Sequence, residues 1–231
     1  MVGPGGVDAR RCASSAFFEV DPDGTAAAAS EESYARWKSG RDEALVGGSR
    51  PSISVQTVTS ASRVAPGYDK IQVEVVARAG TERPSGRRFG ALVHGILTAV
   101  DLNATSEEIG AMARVHGRLV GATEAEIEAA VRTVVAALAH PIMRRAANLA
   151  VSDLRRETPI FLRRDDGTLV EGVVDLAFRE EAADVEWTVV DFKTDREFEL
   201  CRAEYTAQVA LYAQAIEKVT NSSASGILLV I

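Results

Sequence analysis

Asp175 and Asp191 each interrupt a run of apolar, β-forming residues, GVVDLAF and TVVDFKT, in the last third of a 231-residue chain. A strand that buries such an acid must give its carboxylate a partner, because an unpaired charge taken out of water is costly. The neighbouring segments sharpen this demand. Asp-Asp-Gly at 165–167 joins ETPIFLRR to TLVEGVVDLAF as a β-hairpin, and the polar stretch REEAADVE leads on to WTVVDFKT. With the chain reversing near residues 166 and 183, Asp175 falls opposite Glu157 on one side and Asp191 on the other. Directly opposed residues share a sheet face with Cβ atoms about 4.5–5.5 Å apart, where like charges repel. Strand alternation puts Lys193 on the face of Asp191. One ammonium does not balance two or three carboxylates, whereas a hard divalent cation such as Mg²⁺ or Mn²⁺ would. Such an ion polarises phosphoryl oxygens and activates bound water, and a lysine beside it can orient that water or stabilise charge on a phosphate. Asp175 alone, or the Asp191–Lys193 pair alone, fits an acidic surface hairpin better than a site; the constellation points to function.

The rest of the chain supplies helices upstream and an α/β ending. FGALVHGILTAVD has helical spacing, and Ser106 with Glu107 and Glu108 opens a second helix with acids at its positive end. Thr123 and Glu126 form a capping box for a third helix, and Pro141 suits the first turn of a fourth. After the three strands, CRAEYTAQVALYAQAIEKV reads as an amphipathic helix, and the all-apolar GILLVI reads as a strand buried on both faces. The predicted fold class is α/β, a central mixed sheet flanked by helices. Residues 1–25 read as coil and 25–45 as a helix with Tyr34, Trp37 and Leu45 near one stripe. SISVQTVTS is a short strand or an extended connector, and residues 61–88, rich in Pro, Gly and Arg, read as a linker. The predicted division is an extension, 1–85, followed by a domain, 86–231.

Charge and composition narrow the partners. Residues 81–164 carry 12 bases against nine acids, and residues 165–231 carry 14 acids against five bases. The net charge of −7 argues against a nucleic-acid partner, but this distribution reopens one. Arginine pairs at 87–88, 144–145, 155–156 and 163–164 are able to hold phosphates, although each pair alone fits a solvated face. Glu180, Glu181 and Asp184 read as solvated acids. No apolar run approaches a membrane span and the N-terminus has no apolar signal core, so a cytoplasmic chain with no membrane partner is expected. Two distant cysteines, Cys12 and Cys201, exclude a four-cysteine zinc site or iron–sulfur cluster within the chain. No ATP-binding GxxxxGK[ST] motif is present.

GVVDLAF followed by VVDFKT resembles the core of the PD-(D/E)XK nuclease superfamily, and most of all the RecB-type nuclease domain that ends the AddA and RecB helicase–nucleases. Further matches fall in the same order: Gly90–His94 (GALVH), Glu157–Pro159 (ETP), and Tyr205, Gln208 and Tyr212 (YTAQVALY). The resemblance covers about residues 87–231. It implies a restriction-endonuclease-like core that hydrolyses DNA phosphodiester bonds with Mg²⁺ or Mn²⁺. His94, Asp175, Asp191 and the Phe192 carbonyl would bind the metal, and Lys193 would be the catalytic lysine. Glu157 would be either a partner of Lys193 or a further acid near the metal. Tyr205, Gln208 and Tyr212 would brace the site or contact DNA. The resemblance further implies exonuclease-type end processing in double-strand break repair or recombination, with a helicase domain or subunit of an AddAB/RecBCD-like complex as partner. The missing cysteines set the chain apart from the AddB and Cas4 branches. Residues 1–85 resemble the stretch joining such a nuclease to its motor, which implies a fragment of a longer protein or a stand-alone nuclease derived from one. Two other readings stay open: a catalytically silent DNA-binding or docking module, and another branch such as a restriction-type or junction-cutting enzyme. His94 by itself would more often be a core histidine, and Tyr205 and Tyr212 core aromatics; His116 reads as a surface residue and His140 as a helix-end residue.

Overall fold

A computed structural model describes residues 23–63, 71–76, 84–181, 185–195 and 198–231. Cys12, Asp184, most of the expected N-terminal coil and much of the expected linker lie outside them. The chain forms two compact units, Met1–Ser52 and Ile53–Ile231. The first contains helix α1 (Thr25–Gly48), on which Tyr34 stacks on Trp37 at 5.7 Å.

The second unit is built on one six-stranded mixed sheet. Its strands are β1 (Val55–Thr57), β2 (Ile71–Val75), β3 (Leu154–Arg163), β4 (Leu169–Arg179), β5 (Trp187–Lys193) and β6 (Ala224–Val230). A short helix α2 (Val58–Ser62) follows β1. Helices α3 (Arg87–Ala99), α4 (Ser106–Val120), α5 (Glu124–Ala139) and α6 (Pro141–Ala147) precede β3, and α7 (Phe198–Thr220) joins β5 to β6. The sheet has a different core on each face. Phe89, Leu92, Val93 and Ile96 of α3 join residues of α4–α6 against Leu176, Phe178, Val190, Phe192, Ile227 and Leu229. On the other face α7 and α2 cover Val170, Val174, Ala177 and Val189, and Leu228 and Val230 meet Val209 of α7. β6 therefore contributes alternate residues to both cores, as its unbroken apolar sequence predicts.

The helix ends follow the local chemistry closely. Thr123 and Glu126 make the expected capping box on α5, and Pro141 occupies the first turn of α6. The cap of α4 is Thr105, one residue before the expected Ser106, because Glu108 stands three residues after it and completes the reciprocal bonds. His116 lies against α3: a Cβ on Gly95 would come within 2.6 Å of its ring. His140 caps the end of α5 and stands 3.5 Å from Glu74.

The strands before residue 85 change the expected organisation. β1 runs parallel to β4, pairing Val55 with Leu169, and β2 runs parallel to β6, pairing Ile71 with Gly226. Val58 and Ala61 of α2 are buried against α7 and β4. Gly172 marks this contact, since a Cβ there would meet Val58 and Tyr212 at 2.7 and 2.8 Å. β1 lies within the segment read as a short strand or connector, whereas β2 interrupts the stretch 61–88 read as a linker, its five residues hidden among the prolines and glycines around it. A chain starting at residue 53 should therefore unfold cooperatively, whereas one starting at residue 86 should melt at least about 3 °C lower. The estimate comes from losing Val58 burial alone, about 1.5–3 kcal/mol, at about 2–4 °C per kcal/mol for this size. Circular dichroism melts of the two truncations check it.

Candidate active site

The strand registers are those that set three acids side by side. β3 pairs with β4 from Leu154↔Phe178 to Arg163↔Leu169, and β4 pairs with β5 from Leu176↔Val190 to Arg179↔Trp187. Both registers put Asp175 opposite Glu157 and Asp191, but the ladders fail at those residues. The β3–β4 ladder skips Glu157, whose φ of 45° is left-handed, a conformation that is uncommon and costly for a non-glycine residue. The β4–β5 ladder stops one residue short, at Leu176. β1 and β5 occupy the same edge of β4, β1 against Leu169–Glu171 and β5 against Leu176–Arg179, since β3 runs along the other edge. Residues 172–175 thus face an opening in the sheet. Alternation also breaks there: Val174 and Ala177 belong to the α7-side core and Leu176 to the other.

Asp175 spans the opening. Its Oδ2 accepts a hydrogen bond of 2.8 Å from the Phe192 amide, in place of a ladder bond. Its Oδ1 is 3.8 Å from His94 Nδ1. His94 Nε2 is 3.1 Å from the Phe192 carbonyl; in a neutral ring that bond uses Nε2–H and leaves the lone pair on Nδ1. α3 approaches β5 this closely because Gly90, one turn before His94, has no side chain: a Cβ there would sit 2.9 Å from Thr194 Oγ1. Asp191 is only 2% exposed. Its Oδ2 lies 2.5 Å from Lys193 Nζ but makes no hydrogen bond, so the contact is an ion pair with poor directionality. Lys193 Nζ also stands 4.8 Å from the Tyr205 ring centroid, and Tyr205 donates to Asp195 at 2.6 Å.

The remaining expected residues divide. Glu157 accepts a 2.8 Å hydrogen bond from Thr98, one turn after His94 on α3. Thr98 was not legible as a site residue, because a threonine on an apolar helix carries no motif of its own. Thr98, Glu157, Arg156, Asp175 and Phe192 line a small cavity of about 10 Å³, enough for about one water molecule. Gln208 donates to the Tyr212 hydroxyl at 3.0 Å, and the two residues are 9% and 4% exposed. At that burial neither side chain offers a surface to a polymer. Burial, chiefly, pushes the Tyr212 phenol up to about 12, with Asp191 and Asp175 adding to the shift.

Many of the arginines have structural partners. Arg88 makes hydrogen bonds of 3.0 and 2.8 Å to Glu126, and Arg145 pairs with Glu180 at 2.5 Å. Arg156 donates to the Leu97 and Val100 carbonyls at the end of α3, and Arg155 binds the Ser152 and Leu154 carbonyls. Glu180, expected to be solvated, is largely covered and pairs with Arg145, whereas Glu181 is exposed as expected, with Arg179 3.6 Å away.

The donor set suits a hard divalent ion: two carboxylates, a carbonyl oxygen and an imidazole. Desolvation lowers the His94 pKa and keeps the ring neutral, as a ligand must be. The Asp191 Oδ2 faces the Lys193 ammonium but, among the described residues, is buried without a hydrogen bond, so it keeps acceptor capacity for an ion. Among the described residues no three His, Cys, Asp or Glu side chains are gathered closely enough to hold a metal as they stand; Lys193 holds Asp191, and Phe192 engages His94 and Asp175. The charge balance accounts for this. Burial first, then the neighbouring Asp191, raises the Asp175 pKa well above the ordinary carboxylate range. A carboxyl with a raised folded-state pKa stabilises the fold at low pH, and that contribution is lost as pH rises from the ordinary value through the raised one. Asp175→Asn keeps an acceptor for the Phe192 amide and removes the titration. In EDTA it should melt above wild type at pH 7 and level with it at pH 4, as thermal melts across pH would show; a lower melting temperature at pH 7 would contradict the charge assignment.

Comparison with known proteins agrees with this architecture. Residues 69–230 match the family model of the PD-(D/E)XK nuclease superfamily. Over 72 residues the chain is 31% identical to an ATP-dependent helicase/nuclease subunit from two Clostridium kluyveri strains, a match covering 30% of this chain and 6% of each relative. No helix among the described residues is long and apolar enough to cross a membrane. The family match takes in β2, α3 and every element to β6, and with it the sheet opening and both aspartates: the chain belongs to the PD-(D/E)XK nuclease superfamily.

Proposed function

We propose that this chain is a Mg²⁺-dependent deoxyribonuclease, with Mn²⁺ as a competent substitute, that processes DNA ends in double-strand break repair or recombination beside a helicase domain or subunit. The observation that carries the reading is the Asp191–Lys193 ion pair at the end of β5, set one strand away from Asp175 at the opening in the sheet. Asp175, Asp191, His94 and the Phe192 carbonyl would hold the ion. Once bound, the ion supplies Lewis acidity toward a phosphoryl oxygen and acidifies a coordinated water. Asp175 and Asp191 would hold their sites as carboxylates, and His94 would stay neutral. Lys193, released from full pairing with Asp191, would donate to the attacking water or to a phosphate oxygen as charge develops there. Gln208 and Tyr212 brace the floor of the site from α7, and Glu157 stands at its α3 side. End processing and the helicase partner rest on the likeness to the helicase/nuclease proteins, of which this chain spans a small part.

The test is cleavage of end-labelled linear DNA and of closed circular DNA with Mg²⁺, Mn²⁺ or EDTA. Metal-dependent loss of linear DNA with circles spared is the expected result. Lys193→Ala should lower kcat by about 100- to 1,000-fold, the usual cost of removing one charge-stabilising donor. Asp191→Ala should abolish cleavage and weaken Mn²⁺ binding, measured by electron paramagnetic resonance. DNA binding without cleavage under either ion would favour a silent binding module, and cleavage of circles would favour an endonuclease branch.

A further inference from the structure

We propose that Asp195 is a positioning residue that acts through Tyr205 to aim the Lys193 ammonium; the inference rests on the nuclease reading above. Lys193 carries its charge on a flexible four-carbon stem with three rotatable donors. Asp191, at 2.5 Å, fixes how far that ammonium reaches but not its direction, since the contact lacks hydrogen-bond geometry. The Tyr205 ring supplies the second constraint, with Nζ 4.8 Å from its centroid, within the range where a cation is drawn to an aromatic face. A ring can aim a cation only if it is itself held. Tyr205 is held at two points: its hydroxyl donates to Asp195 Oδ2 at 2.6 Å, and its ring stacks on Phe198 with centroids 6.1 Å apart and planes 20° from parallel. Phe198 is buried, 5% exposed, so the stack is anchored in the core.

The chemistry of the hydroxyl agrees with a permanent tie. Burial, then the hydrogen bond and charge of Asp195, push the Tyr205 pKa upward, so the phenol stays protonated and remains a donor. Asp195 lies just past the end of β5 and Tyr205 lies on α7. Their bond therefore joins the strand that carries Asp191 and Lys193 to the helix that carries Gln208 and Tyr212. The tie runs from Asp195 to Tyr205 and not to the proposed metal ligands, which separates its role from theirs.

A simple staple of α7 to β5 would also place Asp195 beside Tyr205, and the experiment must tell the two roles apart. Asp195→Ala and Tyr205→Leu should each lower kcat about 10- to 100-fold, the scale for a group displaced by about 1 Å, with KM for DNA and melting temperature unchanged. Asp195→Asn, whose side-chain oxygen still accepts from the phenol, should restore most of the loss. The double variant Asp195→Ala/Tyr205→Phe should be no slower than Asp195→Ala alone. A second readout does not need cleavage. Lys193 is one of four lysines in the chain, so its acylation by acetic anhydride can be followed by peptide mass spectrometry against Lys218. Lys193 should acylate faster in Tyr205→Leu and Asp195→Ala than in wild type. A kcat for Asp195→Ala within about twofold of wild type, on the rate scale above, or unchanged Lys193 acylation, would overturn the proposal. So would parallel loss of kcat, DNA affinity and melting temperature. If wild type cleaves no DNA, the nuclease reading falls while Lys193 acylation still decides whether Asp195 positions the lysine.

Discussion

Two carboxylates that the strand register brings side by side cannot both be buried as charges without a cation, and the local structure of this protein follows from that constraint. The β3–β4 ladder is interrupted only at Glu157, and the β4–β5 ladder ends just before Asp175 would meet Asp191. There β3 takes a left-handed turn at Glu157, β4 parts from β5, and Asp175 turns its carboxylate to the Phe192 amide. Like-charge repulsion across a sheet is modest, about 0.2–1 kcal/mol per pair at exposed positions. In a buried setting it is larger, because less water screens it. The observed compromise keeps the acids near one another yet gives each an individual partner: Thr98 for Glu157, Phe192 N–H for Asp175, and Lys193 for Asp191.

The opening this leaves in β4 would be a weakness in an ordinary sheet. Among the described residues no strand pairs with 172–175 on one edge, yet β1 and β5 flank the gap at its two ends. Beneath it lie Tyr212 and Val58, so tight against Gly172 that a methyl group would not fit. β1 and α2 thus complete the sheet around the opening and contribute none of the proposed site residues. They explain why a boundary drawn where the helical pattern begins, near residue 85, divides residues that fold together.

What was legible in the sequence was what local chemistry encodes. The Asp-Asp-Gly turn fixed the β3–β4 register, and the apolar run at the end placed β6 between two cores, because these depend on neighbours in the chain. The capping boxes were legible for the same reason, and the single-residue error at Thr105 came from reading the first serine and not the reciprocal Glu108. Contacts made across the fold were not legible. Thr98 reaches Glu157 only because α3 packs on β5 at the bare backbone of Gly90. Asp195 gains its meaning from Tyr205, on the next helix. The arginines are the clearest case. Read as doublets they resemble phosphate clamps, but Arg156 ties down the α3 carbonyls and Arg88 supports the α5 cap through Glu126. A doublet in the sequence does not reveal which member the fold has already engaged.

The same tension links stability to chemistry. A site that held Asp175 and Asp191 in apolar contact would require neutral side chains, and a site that satisfied both with fixed ammonium groups would have no acceptor left for an ion. Here the compensation is partial. One lysine pairs with one carboxylate, the other carboxyl is driven toward its protonated form, and an acceptor of Asp191 stays buried without a hydrogen bond. Asp175, whose carboxyl is pushed toward its neutral form, Asp191 and Lys193 would all be relieved by a bound divalent ion, which would favour both carboxylates and leave Lys193 able to take another partner. Asp175 and Asp191 therefore hold the fold below the stability its packing would permit, and the deficit is concentrated in the groups of the proposed site.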